Sequence, residues 1–242
     1  MDNSLSKEQV KRIQALHKKK FRDEKGLFII EGRKTIEEAI LHKPECIKTI
    51  YSTSSERISN SEFKTTVISP IDLKKISTLK HPQGDLAICR YLENLSSAQS
   101  NFKIALDKIQ DPGNMGTIIR LAAWFGVDEI IASSDTVDCY NPKVIQATMG
   151  AIFNVRITYC DLKTYLEQSK QPIYGALLEG ENIYSTQLQK DGILLMGNEG
   201  NGISDELIPL ISNPITIPRF GSGESLNVAM ATGILLSEFN RG

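Results

Sequence analysis

From residue 102 onward, this 242-residue sequence alternates short apolar runs with segments of helical length, and few folds accommodate that order. FKIALD, VDEIIAS, VRITY, PIYGALL, GILLMG and PITIP are strand-sized and mostly apolar. Between them NMGTIIRLAAWFG, closed by Gly126, then KVIQATMG, LKTYLEQSK and ESLNVAMATGILLSEFN read as helices. Asn141-Pro142 is a good cap and first-turn pair for the second of these. Strands separated by helices in this way predict a parallel sheet covered on both faces, an α/β fold.

The N-terminal region reads as a smaller α/β unit. Residues 6–20 are expected to form a helix, with Ser6 as its cap and Val10, Ile13 and Leu16 on one face. GLFIIEG, IKTIYST, TTVIS and GDLAICR read as strands and KTIEEAILH as a helix. The polar stretch NLSSAQSN, residues 94–101, is the expected linker. Two domains are therefore expected, 1–97 and 98–242.

Charge supports that division. The net charge is −1, but residues 1–97 hold 18 Lys/Arg against 13 Asp/Glu, and residues 98–242 hold 10 against 16. A basic first part points to a polyanionic partner. No apolar run is long enough to span a membrane, and the polar start carries no secretory signal. The four cysteines lack metal-ligand spacing and read as free thiols of a cytoplasmic protein. The three scattered histidines offer no zinc site or triad, so no metal is expected.

Three glycine-rich loops follow expected strands: DPGNMGTIIR (111–120), GNEGNGIS (197–204) and IPRFGSGESLNVA (217–229). Loops at the carboxyl ends of parallel strands are where such sheets bind ligands. None has the Walker or dinucleotide glycine spacing, and none carries a lysine to hold phosphate. Their Asn, Glu and Ser side chains suit a neutral or cationic small molecule. From the residues alone, the inference stops at a polar, glycine-rich ligand site.

LDKIQDPGNMGTIIRLAAWFGVDEII resembles the first signature motif of the SpoU family of RNA ribose 2′-O-methyltransferases. LLMGNEGNGIS resembles the second motif and IPRFGSGESLNVAMATGILLSEF the third, in family order. KRIQALHKKKFRDEKGLFIIEGRKTIEEAI is similar to the substrate-binding domain often fused to this family, itself akin to small RNA-binding ribosomal proteins. The resemblance implies a trefoil-knotted parallel sheet of the SPOUT superfamily, S-adenosylmethionine as cofactor, and a homodimer. Asn198 departs from the commonest pattern, where serine is frequent, as does Arg219-Phe220, where a methionine-led pair is typical.

By the same resemblance, Asn114, Arg120, Glu199, Ser225 and Asn227 form the catalytic centre. Free arginine is a fixed cation, so Arg120 is read either as an unusually deprotonated base or as the stabiliser of a forming alkoxide. Asn114 and Ser225 also have an ordinary reading as helix N-caps. Met196, Gly197, Gly200, Ile217 and Leu226 match cofactor positions, and Leu178 is expected to line the same pocket. Lys18, Lys19, Lys20, Arg22 and Arg33 are the expected RNA contacts. Trp124, beside Leu121, is expected in core or interface packing.

The expectation is a methyltransferase acting on RNA, with rRNA preferred over tRNA. The alternatives are a tRNA 2′-O-methyltransferase, a non-catalytic RNA-binding protein, and a base methyltransferase on the same fold.

Overall fold

A computed structural model describes residues 4–54, 63–92 and 101–241. The first elements are α1 (Lys7–Ala15), α2 (Lys19–Lys25), β1 (Leu27–Glu31), α3 (Arg33–His42), β2 (Ile47–Ser52), β3 (Thr65–Val67), α4 (Pro70–Ile76) and β4 (Asp85–Arg90). Next come β5 (Phe102–Leu106), α5 (Pro112–Trp124), β6 (Glu129–Ser133), α6 (Pro142–Thr148), β7 (Arg156–Cys160) and α7 (Leu162–Gln168). The last are β8 (Ile173–Asn182), β9 (Gly192–Met196), β10 (Asn213–Thr216) and α8 (Val228–Asn240). The expected linker lies, but for Asn101, outside the described residues. Among the described residues no helix is long and apolar enough to cross a membrane.

Two compact units result, and the chain enters the first one twice. Unit 1 holds residues 1–94 together with 138–153, and unit 2 holds 95–137 together with 154–242. The return visit of 138–153 was not expected from sequence, where it falls in the second domain.

Unit 1 is a four-stranded sheet in the order β1-β4-β2-β3. β4 is antiparallel to both neighbours, and β2 runs parallel to β3. The expected helix over 6–20 stops early. Ser6 and Gln9 form a reciprocal capping box at its start, but α1 ends at Ala15. Arg22 explains the break: its Nη1 donates to the carbonyls of Leu16 and His17, each at 3.0 Å. Those carbonyls would otherwise take bonds from a continuing helix.

Residues 138–153 are anchored in unit 1 by polar and apolar contacts. Arg22 Nη2 bonds Asp138 Oδ2 at 2.5 Å. The Tyr140 ring stacks on Tyr91 at 4.1 Å and lies 4.6 Å from Phe28. Val144, Ile145, Ile152 and Phe153 are buried, each stabilising the unit by about 1.5–3 kcal/mol. Gly150 sits at φ +94°, where a Cβ would lie 2.6 Å from Glu38 Cγ, so only glycine lets the segment approach α3.

Unit 2 is a six-stranded, wholly parallel sheet in the order β10-β8-β9-β5-β6-β7. The interior strands β9 and β6 are buried at every position, as expected for a sheet covered on both faces. Leu162 and Leu166 of α7 pack on one face with Ile131, Ile193 and Leu195. On the other, Phe239 of α8 meets Phe102 at 4.6 Å and Tyr174 at 4.9 Å. α5 packs against α8, where a Cβ on Gly233 would lie 3.4 Å from Leu121. Trp124, at the end of α5, is 83% exposed, so it is not a core residue. α8 begins at Val228, four residues later than the sequence pattern suggests.

Candidate active site

Parallel pairing sets β5 and β9 to end together, Leu106 opposite Met196. The loops that follow therefore leave the same sheet edge side by side. Asp107 N–H donates to the Met196 carbonyl at 2.9 Å, and the buried Asp107 carboxylate accepts Ser204 N–H at 2.7 Å. Lys108 holds a left-handed conformation at φ 54°, a strain of about 1 kcal/mol or more. Its N–H bonds Ser133 Oγ, and its Nζ bonds Ser204 Oγ at 3.1 Å.

The second-motif loop closes on itself. Asn198 and Gly202 exchange backbone hydrogen bonds of 2.8 and 3.0 Å. A Cβ at Gly197 would stand 2.2 Å from the Gly202 backbone, so only glycine fits. Asn198 Oδ1 accepts the N–H groups of Gly200 and Asn201, while its Nδ2 donates to the Lys108 carbonyl at 2.7 Å. The departure from serine at 198 thus carries a function that the sequence did not disclose. A side chain with both an acceptor and a donor shapes this loop and ties it to the turn after β5.

Glu199 projects from that loop toward α5. Its Oε1 accepts from Asn114 Nδ2 at 3.0 Å and Asp111 N–H at 3.2 Å. Oε2 faces Gln110 N–H and Asn198 Nδ2, each at 3.4 Å. Asn114 Oδ1 in turn accepts from Asn227 Nδ2 at 2.9 Å. One run of side-chain bonds, Asn227 to Asn114 to Glu199, thereby joins all three glycine-rich loops. Gln110 and Asp111, which sequence reasoning passed over, complete the seat for Glu199.

The capping readings change as a result. Asp111, not Asn114, caps α5 by accepting Asn114 N–H at 2.8 Å. Asn227, not Ser225, caps α8 by accepting the N–H groups of Ala229 and Met230. Asn114 therefore keeps its whole side chain for the site. Ser225 lies exposed in the loop before α8, and Arg120 is exposed on α5. Arg120 stands six residues beyond Asn114, about 9 Å along the helix axis.

The expected cofactor residues spread along the same edge. Met196 and Gly197 are buried at the end of β9, and Gly200 is exposed on its loop. Thr216 Oγ1 donates to the Leu178 carbonyl at 3.1 Å, which brings β8 beside the end of β10 and Ile217. Leu178 and Leu226 are 76% and 54% exposed. Apolar side chains left open to solvent, beside loops bearing Glu199 and Glu224, suit a molecule with a flat aromatic ring, whose faces pack on such groups, and a positive charge. S-adenosylmethionine has both, so the residues present fit it. Arg219 Nη1 bonds the Gly223 carbonyl at 2.9 Å and braces the third loop.

The expected RNA contacts in unit 1 divide. Lys18, Lys19 and Lys20 are exposed; Lys19 pairs with Asp23 at 2.7 Å, and Arg33 with Glu37 at 2.7 Å. Arg22 differs from expectation: it is 2% exposed, with its terminal nitrogens committed to Leu16, His17 and Asp138. A solvated face and a buried arginine look alike in a run of basic residues.

Residues 101–237 match the SpoU rRNA Methylase family, and residues 7–87 match the MRM3-like substrate binding domain. The chain is 31% identical, over 96% of each sequence, to the 23S rRNA (guanosine(2553)-2′-O)-methyltransferase RlmP of Bacillus subtilis. An AdoMet-bound rRNA methyltransferase from Sinorhizobium meliloti superposes with a TM-score of 0.85 at 30% identity, covering 98% of this chain and 96% of that one. A TrmH-family structure from Porphyromonas gingivalis superposes at 0.87 with 34% identity, covering 98% of both. With more than half of its length matched, and the three motif loops joined by Asn114, Glu199 and Asn227, the chain belongs to the SpoU rRNA methylase family.

Proposed function

We propose that this protein methylates a ribose 2′-hydroxyl of rRNA, using S-adenosylmethionine. The observation that carries the reading is the side-chain run from Asn227 through Asn114 to Glu199, which holds three loops in one arrangement at a ligand-binding sheet edge. Bound there, the cofactor supplies an electrophilic methyl group on a sulfonium centre. Leu178, Ile217 and Leu226 offer its adenine apolar contact, and the backbone at Met196, Gly197 and Gly200 offers polar contact.

A ribose hydroxyl is a poor nucleophile until its developing negative charge is balanced. Arg120, a cation exposed on α5, stabilises the forming alkoxide and holds the neighbouring phosphate. Asn114 and Glu199 position the ribose, with Ser225 closing the centre from the third loop. Lys18, Lys19, Lys20 and Arg33 of the region 1–97 dock the RNA through phosphate contacts.

The protein works as a homodimer in the cytoplasm. Exposed Trp124 on α5 and Met230 on α8 give two packed helices an apolar outer surface suited to a second copy. The C-terminal helix, α8, is threaded through a loop to give the trefoil knot.

Transfer of a labelled methyl group to rRNA tests the activity, with tRNA as the competing substrate. Arg120→Ala should abolish transfer while the protein remains folded; full activity in that variant refutes the assignment. Resistance of the product linkage to alkali separates ribose from base methylation.

A further inference from the structure

We propose that unit 1 holds a second RNA site, a groove that receives one unpaired nucleotide of the substrate strand. The proposal rests on the RNA-substrate reading above and adds a location to it. The groove is open to solvent, offers about 630 Å³ and is lined by His17, Thr78, Leu79, Pro142, Lys143 and Gln146, with other residues between. That volume falls within the ~300–1,000 Å³ usual for small-ligand sites. One wall is the turn after α4, and the other is α6, from the segment that returns to unit 1.

Both walls are fixed before any ligand arrives. The buried carboxylate of Glu31 accepts Thr78 N–H at 2.8 Å, together with the hydroxyls of Ser77 and Thr78. His17 Nε2 donates to the Ile76 carbonyl at 3.0 Å, which leaves Nδ1 an acceptor in the neutral ring. Asn141 caps α6 by accepting Lys143 N–H at 2.9 Å. Walls held in this way lose little freedom on binding.

The chemistry of the lining favours a nucleotide. Leu79 and Pro142 offer apolar contact to a base. Gln146 is exposed and presents an amide donor and acceptor, the pattern that reads a base edge. Lys143 is exposed at the start of α6 to meet a phosphate, and Lys18 and Lys80 directly follow His17 and Leu79 in sequence. Of the nearby acids, Asp138 is paired with the Arg22 guanidinium at 2.5 Å, and Glu31 is buried, its carboxylate turned to the Thr78 N–H and the hydroxyls of Ser77 and Thr78. A base-paired duplex would hide the edge that Gln146 reads, so the groove takes a nucleotide outside a helix.

The full-length protein and an unmodified 23S rRNA transcript test this. Gln146→Leu removes no charge, and Lys143→Ala removes one; both residues are exposed, so folding should hold, as thermal unfolding would verify. Each variant should raise the KM and Kd for the transcript about tenfold, with kcat and cofactor affinity unchanged. Only Lys143→Ala should also lower the salt dependence of binding, by about one unit of slope. A transcript carrying 4-thiouridine should photocrosslink to residues 77–79 or 141–147. Unchanged KM in both variants, or crosslinks wholly outside these residues, overturns the groove while leaving the catalytic reading intact. A wild-type protein that transfers no methyl to rRNA overturns both.

Discussion

Asn227 donates from Nδ2 to Asn114 Oδ1 over 2.9 Å, and this one bond fixes the orientation of both amides. Asn227 Oδ1 is already taken by the first N–H groups of α8, so its amino group alone faces Asn114. Asn114 must then turn its own amino group to Glu199. A helix cap is thereby converted into the reference point for a site assembled from three loops.

Asn227→Ala should lose both roles. Cap loss costs about 1 kcal/mol, a fall in Tm of roughly 2–4 °C for a chain of this size. Asn227→Ser keeps an acceptor for the cap, but its hydroxyl ends one bond short of the position from which Nδ2 donates to Asn114. It should melt near the wild-type temperature yet transfer methyl groups as poorly as the alanine variant. A serine variant with wild-type turnover would detach this bond from catalysis.

Glu199→Gln keeps the shape of the side chain and reverses half of its polarity. Glu199 faces only donors: two backbone N–H groups and two asparagine amino groups. A glutamine amino group would point at one of these pairs. Loss of a charged acceptor predicts turnover down about ten- to a hundredfold. Steady-state kinetics alongside cofactor calorimetry would check this, and unchanged kcat would contradict it.

Asp72 should make unit 1 sensitive to acid. Lys75 Nζ bonds its Oδ1 at 2.7 Å and Leu5 N–H bonds its Oδ2 at 3.2 Å, and these two bonds, in that order, hold its carboxyl below the usual range. The folded pKa therefore lies below the unfolded value. The resulting stability is full above the unfolded pKa of about 3.9, and is lost as pH falls through the folded one. Asp72→Asn should unfold at lower urea than wild type at pH 7, and the two midpoints should converge as pH drops below about 4. A gap independent of pH would exclude the ionised carboxylate as its source.

Deleting residues 1–97 should leave the unit 2 sheet folded and able to bind cofactor. The same deletion strips Val144, Ile145, Ile152 and Phe153 of their unit 1 neighbours. Limited proteolysis should cut the truncated chain first within 138–153. Protection of that segment at full-length levels would show that it does not depend on unit 1 for its order.

The strands were legible because local residue type sets them: apolar runs such as GILLMG can hardly be anything but buried. β8 was the exception. It continues past PIYGALL through polar Glu179 to Asn182 because β10 shifts register and pairs with its extension, Thr216 opposite Asn182. What sequence hid depended on distant partners. α1 stops at Ala15 because Arg22 reaches back to the next two carbonyls, of Leu16 and His17, and Arg22 is buried because Asp138 meets it. Asn114 was grouped with the site by its motif, but its release from capping required Asp111 to stand three residues earlier. The membership of 138–153 in unit 1 has no local signature at all.

That last feature bears on how the chain is made. A ribosome extends a chain by about 5–20 residues each second, and domains usually fold as they emerge. Unit 1 cannot finish in that way, because its last residue is Phe153 while its first portion ends at Asn94. For about 2.5–10 s of synthesis, the aromatic surface of Phe28 and Tyr91 waits for Tyr140. The strands β5 and β6 are completed within that interval, so the unit that starts first closes only after the second has begun.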